Sequence, residues 1–229
     1  MTDLPRRFRA VVFDFDYTLA DSSRGIVACV NHALAALNLP AVTAERACRT
    51  IGLTLPETFA RLAGEGEAGR APDFVRAFVA KADEIMNANT VLVAPARQAV
   101  TALLDRGLRL AIVSTKYRYR IEDFLRREGL LDAFGVIVGL EDVAVPKPEP
   151  SGLLAAIARL GTRAQAALYV GDSVVDALTA QRAGVAFAAV LSGMTPRYDF
   201  APYPAYAILE TVADVPGLVC REDGQRPKR

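Results

Sequence analysis

The sequence predicts an α/β fold in which a parallel β-sheet is flanked by helices and interrupted by an inserted helical module. From Leu92 onward, short apolar segments alternate with longer amphipathic ones, the order expected of β–α–β units. The strand-like segments are apolar throughout rather than at every second residue, which is typical of parallel strands buried on both faces. The stretch from Ser22 to Asn89 differs, because it has almost no strand signal.

The sheet-forming segments follow from apolar runs and the residues that end them. Ala10–Phe13 is a very apolar run and predicts the first strand. Downstream, Gly107, Gly129, Gly161 and Gly184 each follow an amphipathic segment, as glycine does where helices end. We predict helices over residues 95–105, 120–127, 150–160 and 174–183, and strands over residues 109–113, 136–138, 166–170 and 186–191.

The inserted module carries three helix signals. Ser22 or Ser23 can cap a helix over residues 24–37, and Thr54 with Glu57 forms a capping-box pattern that opens a helix over residues 55–63. Pro72 opens a third helix that reaches about Met86. The predicted organisation is a sheet domain over residues 1–21 and 90–229, a helical domain over residues 22–89, and a disordered tail over residues 221–229.

The composition limits which binding partners and which kinds of catalysis are expected. The 229 residues carry a net charge of +1, which gives no electrostatic case for nucleic acid or an anionic membrane. No apolar run reaches membrane-spanning length and the first nine residues lack a signal sequence, so we expect a cytoplasmic protein. The three cysteines show no zinc or disulfide spacing, and the single histidine, His32, disfavours histidine-based catalysis.

Asp14 and Asp16 stand where the first strand ends. Residues two apart share one face of a strand, so both carboxylates can point into the same small volume. Ligands of open α/β sheets bind beyond the carboxyl ends of the strands. Two carboxylates there can hold a hard cation, attack a phosphoryl group or move a proton, although an isolated Asp-x-Asp is often only a solvated turn.

Three further features fall at strand ends or in a stiff loop. Ser114 follows a strand, Lys147 lies between prolines, and Asp172 closes a strand with Asp176 one helical turn later. Taken alone, each could be a cap, a surface lysine or a salt-bridge partner. Together they place several acids on one rim, where a cation would relieve their repulsion. Oxygen ligands without histidine or cysteine favour Mg²⁺.

These residues resemble the four motifs of the haloacid dehalogenase (HAD) superfamily of phosphohydrolases. The resemblance runs from about Arg9 to Val190. It implies a Rossmann-like parallel sheet core with an inserted α-helical cap domain of the C1 type. The residues that carry it are Asp14-x-Asp16-x-Thr18, Ser114, Lys147 and Gly171-Asp172-x-x-x-Asp176. The closest likeness is to phosphoglycolate phosphatases and related pyrophosphatases, through residues 19–22, 50–53 and 113–116.

The resemblance implies a role for each motif residue. Asp14 would be the nucleophile that forms an aspartyl-phosphate, and Asp16 the general acid and then the general base. Mg²⁺ would be held by Asp14, by the Asp16 carbonyl and by Asp172. Asp176 is assigned to the metal as well, directly or through a water molecule or Lys147. Ser114 and Lys147 would stabilise charge on the transferring phosphoryl group.

The expected substrate is a small phosphorylated metabolite such as phosphoglycolate. On the sheet domain, Thr18 and Thr115 are predicted to bind it together with Ser114 and Lys147. On the helical cap, we expect contacts from the loop that carries Arg49 and Gly52. Glycine allows a close backbone approach and arginine can pair with an anionic leaving group, although Arg49 could equally be a surface residue.

Other functions remain open at this level. An inorganic pyrophosphatase and a sugar-phosphate phosphatase or mutase share the catalytic core, although Ile26 stands near the place where the mutases carry a histidine. A true dehalogenase lacks the second aspartate, which is present here as Asp16. A non-catalytic binding protein on the same fold would have lost a motif residue, and none is lost. The sequence does not fix the oligomeric state.

Overall fold

The computed structural model describes residues 8–219. Its strands are β1 (Ala10–Phe13), β2 (Ala20–Asp21), β3 (Val91–Leu92), β4 (Arg109–Val113), β5 (Val136–Val138), β6 (Ala167–Gly171), β7 (Ala186–Val190) and β8 (Ala205–Leu209). Its helices are α1 (Ser23–Ala36), α2 (Ala44–Cys48), α3 (Leu55–Ala63), α4 (Ala71–Ile85), α5 (Ala96–Leu104), α6 (Arg118–Arg127), α7 (Ser151–Arg159), α8 (Val174–Ala183) and α9 (Val215–Val219). Within these residues, no helix is both long and apolar enough to cross a membrane.

Six strands form one sheet in the order β5-β4-β1-β6-β7-β8, and every neighbouring pair is parallel. β1 lies between β4 and β6, so Ala10 pairs with Arg109 on one side and with Ala167 on the other. After β1, the chain adds β4 and β5 on one side of it and then β6, β7 and β8 on the other side. This change in the direction of strand addition creates a crevice at the carboxyl ends of the strands, where α/β sheets bind ligands. The predicted α/β fold with a parallel sheet is confirmed.

The sheet is buried because its strands present apolar side chains on both faces. Every residue of β1 and β6 is buried, and the core around them includes Val113, Leu153 and Phe187. Strands of this composition need helices on both faces to remove them from water. The result is a rigid platform whose strand ends place the motif residues.

The chain divides into two compact units, one of which is the helical unit Ala20–Val91. The other contains the described residues on either side of it and carries the six-stranded sheet. β2 and β3 pair in a separate two-stranded sheet. The helical unit has its own core, in which the rings of Phe59 and Phe74 stack with centroids 4.8 Å apart. The predicted capping box is present, since Thr54 and Glu57 exchange hydrogen bonds at the start of α3.

Several elements lie outside the sequence prediction, among them β2, β3 and α9. The edge strand β8 is missed although all five of its residues are apolar, and it is only half-buried; the five-residue helix α2 is too short to give a period. The 3₁₀ segment Glu65–Arg70 connects α3 to α4 and has no signal in the sequence analysis. The predicted disordered tail, 221–229, lies outside the described residues.

Candidate active site

Asp14 emerges from the end of β1 into a buried position. Its backbone N–H donates to the Val170 carbonyl at 2.8 Å, which continues the pairing of β1 with β6 for one residue. The chain then turns sharply, because Tyr17 adopts a φ of 61°, an uncommon conformation for a residue with a side chain. Asp14 and Asp16, which precede this turn, have different partners.

Three carboxylates meet beside the end of β1. Asp14, Asp172 and Asp176 are all buried, and one oxygen of each lies within 4.8 Å of the others. Asp172 follows β6 and Asp176 lies in the first turn of α8, so both come from the strand next to β1 and its helix. The sequence places these acids on one rim of the sheet, and Asp14, Asp172 and Asp176 do lie together there.

Lys147 lies among these acids. Its Nζ is 2.7 Å from Asp176 Oδ1 and 3.0 Å from Asp14 Oδ1, and it donates to the hydroxyl of Tyr169 at 3.2 Å. Lys147 is 7% exposed, so its charge acts on these groups with little screening from water.

Asp176 has a full set of hydrogen-bond donors. Its Oδ1 faces Lys147 and the hydroxyl of Tyr169, the latter at 2.8 Å. Its Oδ2 accepts from the backbone N–H and the hydroxyl of Ser173, at 3.1 and 2.5 Å, which completes the capping box of α8. Asp176 therefore fixes both Lys147 and the start of its own helix.

Tyr169 is a site residue that the sequence reasoning missed. It is fully buried in the middle of β6, and its hydroxyl also lies 3.3 Å from the Val113 carbonyl. The available signal was a tyrosine in an otherwise aliphatic buried strand, since a buried tyrosine hydroxyl needs a polar partner.

Asp16 lies apart from the buried acids and faces Lys116. Lys116 Nζ is 3.0 and 3.1 Å from the two carboxylate oxygens of Asp16. No role of its own is predicted for Lys116 from the sequence. The structure makes it a direct partner of a motif aspartate.

The predicted hydroxyl residues occupy the same edge of the sheet. Ser114 is buried at the end of β4, where its N–H donates to the Val138 carbonyl at 3.0 Å and its Oγ accepts from the Lys116 N–H at 3.3 Å. Thr115 follows it and is half-buried. The Thr18 hydroxyl donates to Asp172 Oδ1 at 3.3 Å, so this residue steadies an acid of the site.

Arg49 and Gly52 belong to the helical unit. Arg49 follows α2 and forms an ion pair with Glu45 at 2.8 Å, with both side chains more than half exposed. Gly52 has a φ of +96°, a conformation that side chains rarely adopt. The roles predicted for these two residues in substrate binding stay predictions.

Burial and charge shift the pKa values within the site. Desolvation raises the pKa of Asp14 from 3.8 to about 6, although Lys147 opposes the shift. Burial, reinforced by Asp176 and Asp14, raises the pKa of Asp172 well above its usual range. Burial disfavours the charged form of Lys147, but Asp14 and Asp176 outweigh this and raise its pKa. Burial and mutual repulsion thus disfavour the charged forms of Asp14 and Asp172, and Lys147 offsets this only in part.

The donor set fits a hard divalent cation. The three clustered groups offer only carboxylate oxygens, which are the ligands of Mg²⁺ and Ca²⁺ rather than of softer metals. Asp14 Oδ1 is buried and forms an ion pair with Lys147 at 3.0 Å, but no hydrogen bond of adequate geometry reaches it within the described residues. An unsatisfied buried carboxylate oxygen is costly, and a bound cation would remove that cost.

Comparison with known proteins identifies the family to which the chain belongs. Residues 11–190 match the family model described as haloacid dehalogenase-like hydrolase. A phosphoglycolate phosphatase from Pectobacterium atrosepticum is 32% identical, with 84% of this chain and 82% of that protein covered. The pyrophosphatase PpaX from Bacillus velezensis is 30% identical, with 94% and 97% covered.

A solved structure agrees with this assignment. A haloacid dehalogenase-like hydrolase from Bacteroides fragilis is 45% identical and has a TM-score of 0.88, with 91% of this chain and 99% of that chain covered. The motif residues that carry the sequence resemblance meet at the carboxyl edge of the sheet or in the loops beside it. The chain therefore belongs to the haloacid dehalogenase-like hydrolases.

Proposed function

We propose that this protein is a Mg²⁺-dependent phosphatase that hydrolyses a small, phosphoglycolate-like phosphate monoester through an aspartyl-phosphate on Asp14. The family match, together with curated phosphatases such as the one at 32% identity, assigns the protein to the phosphoric monoester hydrolases. The observation that carries the proposal is the buried Asp14 carboxylate, placed against two further acids and the ammonium of Lys147.

The metal would be held by the carboxylates of Asp14 and Asp172 and by the backbone carbonyl of Asp16. Bound there, Mg²⁺ would shield the negative phosphate from the negative nucleophile. Asp176 is the weaker candidate for a direct ligand, because both of its oxygens already accept hydrogen bonds. We assign it to holding Lys147 and, through it, Asp14.

The first half-reaction forms the bond between an Asp14 oxygen and phosphorus and breaks the bond from phosphorus to the leaving-group oxygen. Asp16 gives its proton to that oxygen as the alcohol departs. In the second half-reaction Asp16 takes a proton from the water that attacks phosphorus, and Asp14 is released with free phosphate. Lys147 and Ser114 stabilise the charge on the phosphoryl oxygens.

The substrate assignment rests on the relatives and on the expected binding residues. Phosphoglycolate phosphatases of 32–35% identity are the most frequent names among them. We assign Thr115, together with Ser114 and Lys147, to the phosphoryl group, and Arg49 and Gly52 to the leaving group. Thr18 was expected to bind substrate too, and its bond to Asp172 favours an indirect contribution. The cytoplasmic location stays a prediction.

A pyrophosphatase is the second candidate. It is favoured by the 30% identity with PpaX, which extends over nearly the whole length of both proteins. The same nucleophile and acid would serve, since inorganic phosphate would replace the alcohol as leaving group.

The test is phosphate release from phosphoglycolate, pyrophosphate and p-nitrophenyl phosphate with Mg²⁺, with EDTA and with Asp14→Asn. We expect Mg²⁺-dependent turnover, highest kcat/KM on phosphoglycolate, and a loss of at least 10³-fold on substitution, of the order seen when a nucleophile is removed. Turnover by Asp14→Asn at the wild-type rate would refute the proposal. Highest kcat/KM on pyrophosphate would favour the second candidate.

A further inference from the structure

Lys116 is bound to the acid–base residue rather than to the nucleophile. We propose that Lys116 is a positioning residue that holds the Asp16 carboxylate for proton transfer to the leaving group. The inference rests on the proposed function, in which Asp16 is the general acid and base. It adds a cation outside the four motifs to the machinery of the site.

The contact between the two side chains is close and shielded from water. Lys116 Nζ lies 3.0 and 3.1 Å from the two Asp16 oxygens, and the side chains are only 9% and 12% exposed. Bonds to both oxygens limit rotation of the carboxylate about its own axis. An ion pair shielded from water is weakly screened, so it holds this orientation more firmly than a surface pair would.

Lys116 is itself fixed at its side chain and its backbone. Its ammonium lies 5.5 Å from the ring centroid of Phe15, and that ring packs edge-on against Phe124 of α6. Its carbonyl accepts from the Leu140 N–H at 3.1 Å, and its N–H donates to Ser114 Oγ at 3.3 Å. The lysine therefore reaches Asp16 from an anchored backbone.

The anchoring depends on a close approach between two loops. A Cβ on Gly139 would lie 2.2 Å from the backbone nitrogen of Arg118, so only glycine lets the segment after β5 approach this closely. Glu141 then accepts from that same Arg118 N–H at 2.8 Å and caps the start of α6. Gly139 and Glu141, which take no part in the chemistry, therefore help to hold the segment that carries Lys116.

The two lysines of the site contact different catalytic aspartates. Lys147 contacts Asp14 and Asp176, on the side where the phosphoryl group is transferred. Lys116 contacts Asp16, on the side where the leaving group takes its proton. In the first half-reaction, loss of Lys116 should therefore matter only for esters whose leaving group needs a proton, whereas the second half-reaction needs Asp16 as a base for every ester.

The experiment compares two esters with Lys116→Met. Phosphoglycolate releases an alkoxide that must be protonated, whereas dinitrophenyl phosphate releases a stable phenolate that need not be. We expect the single-turnover rate of leaving-group release, which reports the first half-reaction alone, to fall about 10²-fold on phosphoglycolate and to change less than about 3-fold on dinitrophenyl phosphate. Lys116→Arg, which keeps the charge, should recover most of the loss. Asp16→Asn should show the same pattern, and the double variant should lose nothing further.

A matched control is Lys81→Met in the helical unit, since Lys81 forms an ion pair with Glu84 at 2.7 Å. It should behave as wild type on both esters. Equal losses on both esters with Lys116→Met would overturn the proposal. So would a raised KM at unchanged kcat, because that would make Lys116 a substrate-binding cation. If wild type hydrolysed neither ester, the proposed function would fail instead.

Discussion

Gly193 stands against the acid that closes β6, which makes it a sensitive probe of the site. A Cβ at Gly193 would lie 2.0 Å from Asp172 Oδ2, 2.7 Å from Cγ and 3.0 Å from Cβ. Ordinary contacts begin at 3.4 Å, so Gly193→Ala must displace the carboxylate by the difference, 1.4 Å. The φ of Gly193 lies outside the left-handed region, so alanine itself fits the backbone.

The expected effect is on activity rather than on stability. A displacement of about 1 Å in a catalytic group can cost about 10²-fold in rate, which is about 2.7 kcal/mol of barrier. We therefore expect kcat/KM for phosphoglycolate to fall about 10²-fold and the Mg²⁺ concentration for half-maximal rate to rise about 10-fold or more.

The assay is steady-state phosphate release over a Mg²⁺ titration, with thermal unfolding measured in parallel. Gly217→Ala is the matched control, because a Cβ there meets nothing within 4 Å. It should keep full activity. A Gly193→Ala enzyme with wild-type kcat/KM and metal dependence would refute the reasoning that places Asp172 at the metal.

Three other predictions concern the pKa shifts, the buried hydroxyl and the helical unit. The raised pKa of Asp14, about 6 against 3.8, means that the metal-free fold binds this proton more tightly than the unfolded chain does. Its stability should therefore fall as pH rises from about 4 to about 6, and Mg²⁺ should raise Tm more at about pH 7.5 than at about pH 5; an equal rise at both would contradict this. Tyr169→Phe removes the hydroxyl 2.8 Å from Asp176. It should lower the free energy of unfolding in urea by about 1 kcal/mol and kcat by about 10-fold. An unchanged kcat would show that this bond does not position the site. Phe59→Ala should cost about 3–5 kcal/mol in the unfolding of the helical unit, because the ring is fully buried against Phe74, whereas a loss below about 1 kcal/mol would contradict this packing.

The fold was predictable because its signals are local and repeated. Apolar runs that are continuous rather than alternating predict buried parallel strands, and β4 and β5 begin and end at the predicted residues. Parallel strands bring their carboxyl ends to one edge, so Asp14, Ser114 and Asp172 could be placed together without knowing the order of the strands.

The missed features depend on contacts across the chain. Lys116 and Asp16 are 100 residues apart, and no local pattern pairs them until β1 and β4 are known to be neighbours. Gly193 was unremarkable as a loop glycine, because its closeness to Asp172 is tertiary. Tyr17 was not recognisable as a turn residue, since its positive φ is one that sequence reasoning assigns to glycine.

The central claim is that Asp14 carries the phosphoryl group between the two half-reactions. Asp16→Asn keeps the nucleophile but lacks the base for the second step, so with Mg²⁺ and dinitrophenyl phosphate the covalent intermediate should accumulate. Rapid acid quench and peptide mass spectrometry should then find one added phosphoryl group on the peptide that contains Asp14, and none in the double variant with Asp14→Asn. Turnover of dinitrophenyl phosphate by Asp14→Asn, or a phosphoryl group on any other residue, would contradict the account.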